Sequence, residues 1–388
     1  MGEVAIVSAV RTAIAKGGRG ALKDTRPDDL LGAVLKEAVE RAGVDPASLD
    51  DLVVGTAMPE AEQGMNIARI GSFLAGLPDE LPALTINRFC ASGLQAIAQG
   101  ASSILAGWQT TVLAGGVESM SQIAMGGQKP SPNPHLMEDR PSAYTPMGIT
   151  AEIVAERFGI SRADQDAFAL RSHQRAIAAI QGGKFKQEIL PLPTRVFKDG
   201  KWVDFTFDTD EGPRADTTLD ALARLKSPFK EGGSVTAGTS SQVSDGAAAT
   251  VLMDRAKAEA DGRPIMGILR SYQVVGVPPE IMGVGPRYAI PKALAAAGLK
   301  IEDIDVFEIN EAFASQALYC VRELGIDVDR VNPNGGAIAL GHPLGCTGAR
   351  LTATLLHELE RRGARYGVVS MCIGGGMGAA AVFENVRR

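Results

Sequence analysis

Short runs of aliphatic and β-branched residues alternate along the chain with stretches whose apolar positions recur every three or four residues. VAIVSAV near the start reads as a buried strand. From Asp28 to Gly43 the apolar set Leu30, Leu31, Val34, Leu35, Ala38 and Val39 falls on one helix face, with Gly43 as a C-terminal stop. A loop (DPAS), a strand (DDLVVG), the stretch Leu84 to Gly107 and a strand (TTVLAGG) follow. Within Leu84 to Gly107, Thr85 and Ile86 end a strand. Leu94, Ile97, Ala98, Ala101, Ile104 and Leu105 then mark a helix face, so Cys90 occupies a strand-to-helix corner. This alternation predicts a mostly parallel sheet with helices on its faces.

The second half repeats that grammar. Tyr288 to Gly298 reads as a helix, with Pro291 tolerated in its first turn, and LKIEDIDVFEIN matches VDPASLDDLVVG. Ala42-Gly43 pairs with Ala297-Gly298, Asp50 with Asp305 and Gly93 with Gly348, all at one common interval, which points to duplication. TGARLTATLLHEL answers SGLQAIAQGASSIL, and YGVVSMCIGGG answers WQTTVLAGGVE. The pattern divides the chain into an N-terminal α/β half over 1–120, completed by about 233–265, and a C-terminal α/β half over 266–388. Between them lies an insert over 121–232. There GQKPSPNPHLMEDRPSAYTP reads as irregular loop, Ser161 and Asp164 as a helix start, and FKDGKW as a hairpin turned on Asp199-Gly200. Inserts of this kind commonly cover a site.

Composition narrows the class. The 388 residues are 45% hydrophobic and 22% charged, ordinary for a globular protein, and the net charge of −6 argues against a nucleic-acid or membrane-surface binder. Four cysteines (Cys90, Cys320, Cys346, Cys372) form no C-x-x-C pair, which disfavours a zinc ribbon or disulfide framework and suits reduced thiols in a cytosol. MGEVAIVSAVRT has no signal-peptide core, Ile6 breaks a myristoylation pattern, and NVRR is neither a prenylation nor a peroxisomal signal. No apolar run is long enough to span a bilayer.

The candidate chemistry is thiol and imidazole. Cys90 near a helix N-terminus gains from unpaired N–H groups that favour a thiolate; the alternative is a buried structural cysteine. His342 in GHPLGCTG precedes the helix of the second half, and Cys372 in MCIGGGMG directly follows the strand GVVSM. Strand ends at one sheet edge face a common crevice, so related halves bring Cys90, His342 and Cys372 toward each other. A thiol beside an imidazole is an activated nucleophile, and a second thiol there can serve as acid and base. Cys320, in a helical pattern, reads as core packing, and His135, His173 and His357 as surface or helix-face residues without metal-ligand spacing. GGGMG lies too near the C-terminus to open a dinucleotide-binding unit.

NRFCASGLQA, GGVESMS, DEGPR, SDGAAA, NEAFA, GHPLGCTG and CIGGGMG, in this order, resemble the thiolase family, and the likeness runs from VRTAIAK to the last glycines. It implies a thiolase fold: two related α/β halves in a five-layered αβαβα arrangement with an inserted loop domain. It further implies Cys90 as the acylated nucleophile, His342 as its activator, Cys372 as the proton shuttle at the acetyl carbon, and Asn310 as holder of a water. The backbone N–H groups of Cys90 and Gly374 would form an oxyanion hole. Arg214 and Ser241 fall where the family contacts coenzyme A, and Met147, Ala312 and Phe313 where it lines the channel. Many members that make acetoacetyl-CoA carry a histidine before the methionine matching Met147; here Pro146 stands there.

The expected activity is therefore an acyl-CoA:acetyl-CoA acyltransferase of fatty-acid β-oxidation type. It would take acyl-CoA and coenzyme A as substrates, with no cofactor, no metal and no nucleic-acid or membrane partner. It would act as a homodimer or homotetramer in the cytoplasm. The alternatives are an acetoacetyl-CoA thiolase, a decarboxylating ketoacyl synthase, or a non-catalytic acyl-CoA-binding relative.

Overall fold

The computed structural model describes residues 2–387; Met1 and Arg388, the outermost residues of the segments read above for a leader and a terminal signal, lie outside them. The first half forms a sheet in the order Ala83–Ile86, Asp51–Gly55, Thr111–Ser119, Ser244–Asp254, Val4–Thr12. The second half repeats this order with Val306–Ile309, Tyr366–Ile373, Met377–Glu384 and Gly267–Gly276. A parallel bridge from Phe307 to Val331 stands where the first half has its outermost strand. The halves join edge to edge, Val4–Ile6 pairing antiparallel with Gly267–Leu269. The repeat read from paired residues is thus a repeat of topology.

The sheet is mixed, not mostly parallel as the alternation suggested. Asp51–Gly55 runs parallel to both its neighbours, and Val306–Ile309 runs parallel to Tyr366–Ile373. Ser244–Asp254, however, lies antiparallel between Val4–Thr12 and Thr111–Ser119, and Met377–Glu384 is antiparallel to both of its neighbours. The cause is the connection. Tyr366–Ile373 turns directly through Gly374–Gly376 into Met377–Glu384, and a tight hairpin can only return antiparallel. In the first half the insert occupies the place of that turn, between Thr111–Ser119 and Ser244–Asp254.

Three apolar clusters place the elements in layers. Leu30, Leu31, Val34 and Leu35 of the helix Pro27–Ala42 pack on Leu52, Val54 and Leu113, one face of the first sheet. The opposite face, with Val53, Val112 and Ala114, packs on Leu94, Ile97 and Ala101 of the helix Ser92–Leu105 and on Leu351 and Leu355 of the helix Leu344–Arg362. Val369, Met371, Ala379 and Ala381 close that cluster from the second sheet. Alternate residues Val368, Ala380 and Val382 face outward onto Ala289, Ile290, Ala293 and Leu294 of the helix Gly285–Ala297. Period-two strands sandwiched by helices give helix, sheet, helix pair, sheet, helix.

Local signals hold with adjustments. Gly43, at φ 64°, ends its helix by donating to Val39 and Glu40 carbonyls. The helix read from Tyr288 starts at Gly285 with Pro286 in its first turn, so Pro291 lies inside it rather than in that turn. Leu105, assigned to the buried face, is exposed at the last turn of its helix. In the insert, Leu192–Lys198 and Lys201–Phe207 form the hairpin, with Asp199 and Gly200 both at positive φ. The stretch read as irregular carries a short helix, Pro134–Asp139, capped by Asn133, and a 3-10 turn, Pro141–Tyr144. Arg11 anchors the insert from below: its Nε donates to Glu188 at 2.7 Å and its two terminal nitrogens to Asp210 at 2.8 and 2.9 Å, all buried.

The central helices cross where each has a glycine. A methyl group on Gly348 would stand 2.2 Å from the Leu94 nitrogen, and one on Gly93 2.8 Å from the Gly345 carbonyl and the Ala349 nitrogen. These are backbone atoms of the facing helix, so the conflict has no soft side chain to absorb it. Gly348→Ala should lower stability by about 1–3 kcal/mol through overpacking, read as a fall in the thermal midpoint. An unchanged midpoint would mean the helices are free to move apart.

Candidate active site

The N-termini of the two central helices lie side by side, and each is preceded by a reactive side chain. Strand Ala83–Ile86 ends in an elbow at Asn87–Phe89, where Phe89 has φ 43°, a conformation that L side chains adopt at some cost. Two side chains hold it: Asn87 Oδ1 accepts from the Phe89 N–H at 2.7 Å, and Ser92 Oγ accepts from the Arg88 N–H at 2.9 Å. Cys90 follows, buried among Ala57, Met120 and Leu344. The backbone N–H groups of Gly374 and of Cys90 itself point at its sulfur.

His342 is set by Gly341, which takes φ 100° and leaves no room for a methyl group beside Ser244 Oγ. The imidazole is 4% exposed. Thr347 donates its hydroxyl proton to the Pro343 carbonyl at 2.8 Å, so its oxygen accepts from His342 Nδ1–H at 2.6 Å. Nε2 then carries the lone pair, and Asn310 Nδ2 donates to it at 3.2 Å. Asn310 follows the strand Val306–Ile309; among the described residues its Oδ1 has no hydrogen-bond partner.

Cys372 lies fully buried near the end of Tyr366–Ile373, in an apolar cluster with Ala151, Val235, Met282, Ala312 and Phe313, and with Met147 packed against it. Its thiol donates to Gln316 Oε1 at 3.1 Å. Met147 Sδ also borders Gly374. Ser241 joins through its N–H, which donates to the Ala312 carbonyl at 2.9 Å. Contacts thus connect Cys90, His342, Asn310, Cys372, Gly374, Met147, Ala312, Phe313 and Ser241 into one group, with Gln316 bridging Cys372 and Asn310. Arg214 lines a separate hollow of about 220 Å³ with Leu170 and His173, its N–H donating to His173 Nδ1 at 3.1 Å.

Electrostatics reverse one expectation. The helix N-terminus was expected to favour a Cys90 thiolate, but burial outweighs it and pushes the thiol up to about 11. The N–H groups of Gly374 and Cys90 pull the other way, and the Glu118 carboxylate adds to the push. Burial, with Arg350 as a second cause, brings His342 down to about 3. Burial thus disfavours charge on both groups, the thiolate of Cys90 and the imidazolium of His342 alike. Burial also raises Cys372 well above the usual thiol range. Of the remaining residues, Cys320 and Cys346 are buried, His135 is exposed, and His173 and His357 sit on inward helix faces.

Two further residues complete the site. Glu118, fully buried in GGVESMS, accepts from Ala57 N–H at 2.8 Å, Gly345 N–H at 2.7 Å and Gln63 Nε2 at 2.6 Å, tying the loop beside Cys90 to the helix after His342. Its signal in the sequence is a lone carboxylate in a strand otherwise apolar and small. Gln316, two residues beyond NEAFA, carries no such signal.

Comparison with known proteins agrees with this geometry. Residues 4–256 match the model described as Thiolase, N-terminal domain, and residues 263–385 the one described as Thiolase, C-terminal domain. The 3-ketoacyl-CoA thiolase of Bacillus subtilis is 55% identical over 99% of this chain and 100% of its own length. The human peroxisomal 3-ketoacyl-CoA thiolase is 55% identical over 98% of this chain and 91% of its own. Among solved structures, the Bacillus anthracis acetyl-CoA acetyltransferase superposes with a TM-score of 0.90 at 42% identity, covering 100% of this chain and 99% of its own. The dimeric peroxisomal thiolase of Saccharomyces cerevisiae gives 0.89 at 46%, covering 99% and 97%. By sequence, by fold and by the residues its two halves bring together, the chain belongs to the thiolase family.

Proposed function

We propose that this chain is an acetyl-CoA C-acyltransferase that cleaves 3-ketoacyl-CoA with coenzyme A into acetyl-CoA and a shortened acyl-CoA. The observation that carries the proposal is two buried thiols, Cys90 packed against Leu344 and Cys372 bonded to Gln316, on the side of the molecule where His342 is held by Thr347 and Asn310. Cleavage between C2 and C3 leaves charge on the acetyl thioester, tolerable only where donors already wait for it.

The cycle balances on three groups. Cys90 gives its proton to His342 Nε2 and attacks the C3 ketone. The C2–C3 bond breaks, leaving an acyl thioester on Cys90 and an acetyl-CoA enolate. A water held by Asn310, together with the His342 imidazolium, stabilises the enolate oxygen until C2 takes the Cys372 proton. Coenzyme A then loses its thiol proton to the Cys372 thiolate and attacks the acyl group under the Cys90 and Gly374 N–H pair. Cys90 leaves as thiolate and recovers its proton from His342. Coenzyme A enters as substrate, Ser241 and Arg214 meeting it and Met147, Ala312 and Phe313 lining the acyl channel, and the cycle calls for no cofactor.

Pro146 in the place of a histidine supports the broader-chain, degradative branch over a strict acetoacetyl-CoA preference. So does the 55% identity over 99% of this chain to a relative named 3-ketoacyl-CoA thiolase. Ala83–Ile86 is an edge strand with exposed Leu84, near exposed Phe73 and Phe89, which supports a homodimer paired along that edge. Among the described residues no helix is long and apolar enough to cross a membrane; with four free cysteines, a reducing cytoplasm fits.

Cys90→Ser should keep the fold and lose the acyl adduct seen by intact-mass spectrometry after mixing with 3-ketoacyl-CoA. An adduct on a peptide without Cys90 sinks the assignment. A second prediction follows from the lowering of His342. In the wild type, alkylation of Cys90 by iodoacetamide should vary little between pH 6 and 8, because His342 stays a neutral base throughout. In His342→Ala only direct ionisation remains, so the rate should fall at pH 7 and climb about tenfold per pH unit to pH 9. A variant whose alkylation keeps the flat wild-type profile shows that His342 does not take the proton.

A further inference from the structure

The two thiols of the site sit in different hydrogen-bonding surroundings. Each sulfur has its own backbone N–H beside it, but Cys90 has in addition the N–H of Gly374, whereas the Cys372 thiol faces an acceptor, Gln316 Oε1 at 3.1 Å. Gln316 is 1% exposed and lies in the first turn of the helix Ala314–Glu323. Its Nε2 donates to the Asn310 carbonyl at 3.3 Å. That carbonyl can only accept, so the amide cannot be reversed without setting oxygen against oxygen. Behind it Gly283 presses close: a methyl group there would stand 2.6 Å from Gln316 Cβ. The side chain is held at its base and at both ends of its amide.

From this geometry we infer that Gln316 is a positioning residue for proton transfer at the acetyl carbon, acting through Cys372 and resting on the function proposed above. A donor opposite sulfur stabilises a thiolate; an acceptor opposite sulfur stabilises the thiol. Cys90 therefore has surroundings suited to a nucleophile and leaving group, and Cys372 has those of a proton carrier. When Cys372 protonates C2, its S–H bond breaks, the new C–H bond forms from the enolate electron pair, and the charge moves to sulfur. Gln316 Oε1 offers that thiolate no donor, so the thiolate is a strong base. It takes its proton back from the incoming coenzyme A thiol, or from an acetyl methyl group in the reverse direction. The same amide fixes the backbone of Asn310, so the residue holding the water at the enolate oxygen and the acid at C2 are held by one side chain.

The test separates carbon chemistry from acyl transfer. Acylation of Cys90 by a saturated acyl-CoA is followed by intact mass, exchange of acetyl-CoA methyl protons into deuterated water by NMR, and folding by thermal midpoint. In Gln316→Leu the exchange should fall about 10²-fold, as for a displaced reacting group, with acylation within about threefold of wild type. Gln316→Glu, whose protonated carboxyl both accepts from Cys372 and donates to the Asn310 carbonyl, should restore exchange at pH 5.5. It should lose exchange again as the pH rises and the carboxyl ionises, a profile the wild type lacks. Wild-type exchange in Gln316→Leu overturns the inference. So does a parallel fall of acylation, exchange and thermal midpoint, or a Gln316→Glu profile that follows the wild type. A wild type that neither acylates nor exchanges overturns the proposed function and this inference with it.

Discussion

The site depends on how closely the helices Ser92–Leu105 and Leu344–Arg362 cross. Gly93 and Gly348 meet the backbone of the opposite helix at distances no side chain could occupy, and Gly116 meets the Gly345 carbonyl in the same way. Cys90 and His342 precede these two helices, so the crossing sets the relation of thiol to imidazole. Glu118 reinforces it from one side, its carboxylate bonded both to the loop at Ala57 and to the N–H of Gly345. A structural repeat thereby becomes a catalytic arrangement: each half supplies one helix start, and neither half holds the pair alone.

Burial is the second consequence of that packing. Burial disfavours charge on Cys90 and on His342 alike. Such a site stores its stabilisation in fixed donors rather than in ions, which act strongly where water is excluded. The N–H pair at Cys90 and the amide of Asn310 are held by backbone, strand and helix, and need little reorganisation when charge develops.

The sequence made some of this legible and hid the rest for identifiable reasons. Gly93 and Gly348 stood out as a repeated pair before their contact was visible, because duplication preserves the crossing that each must permit. Cys90, His342, Asn310 and Cys372 lie beside strand ends and helix starts, which periodicity can locate. Strand direction was not legible: the return of Met377–Glu384 is decided by a three-glycine turn, and that of Ser244–Asp254 by a connection routed through the insert. The balance at Cys90 is not legible either, because a helix N-terminus is visible in sequence while the depth of burial opposing it is not. Gln316 carries no signal in sequence, since its role depends on which groups flank it in space.

The central claim is a reaction split in two by an acyl group parked on Cys90, and a single-turnover experiment tests it most directly. Enzyme mixed with excess 3-ketoacyl-CoA in the absence of free coenzyme A should release one equivalent of acetyl-CoA per site and then stop. The shortened acyl-CoA should appear only when coenzyme A is added. Simultaneous appearance of both products, or continued acetyl-CoA release without coenzyme A, would contradict the account.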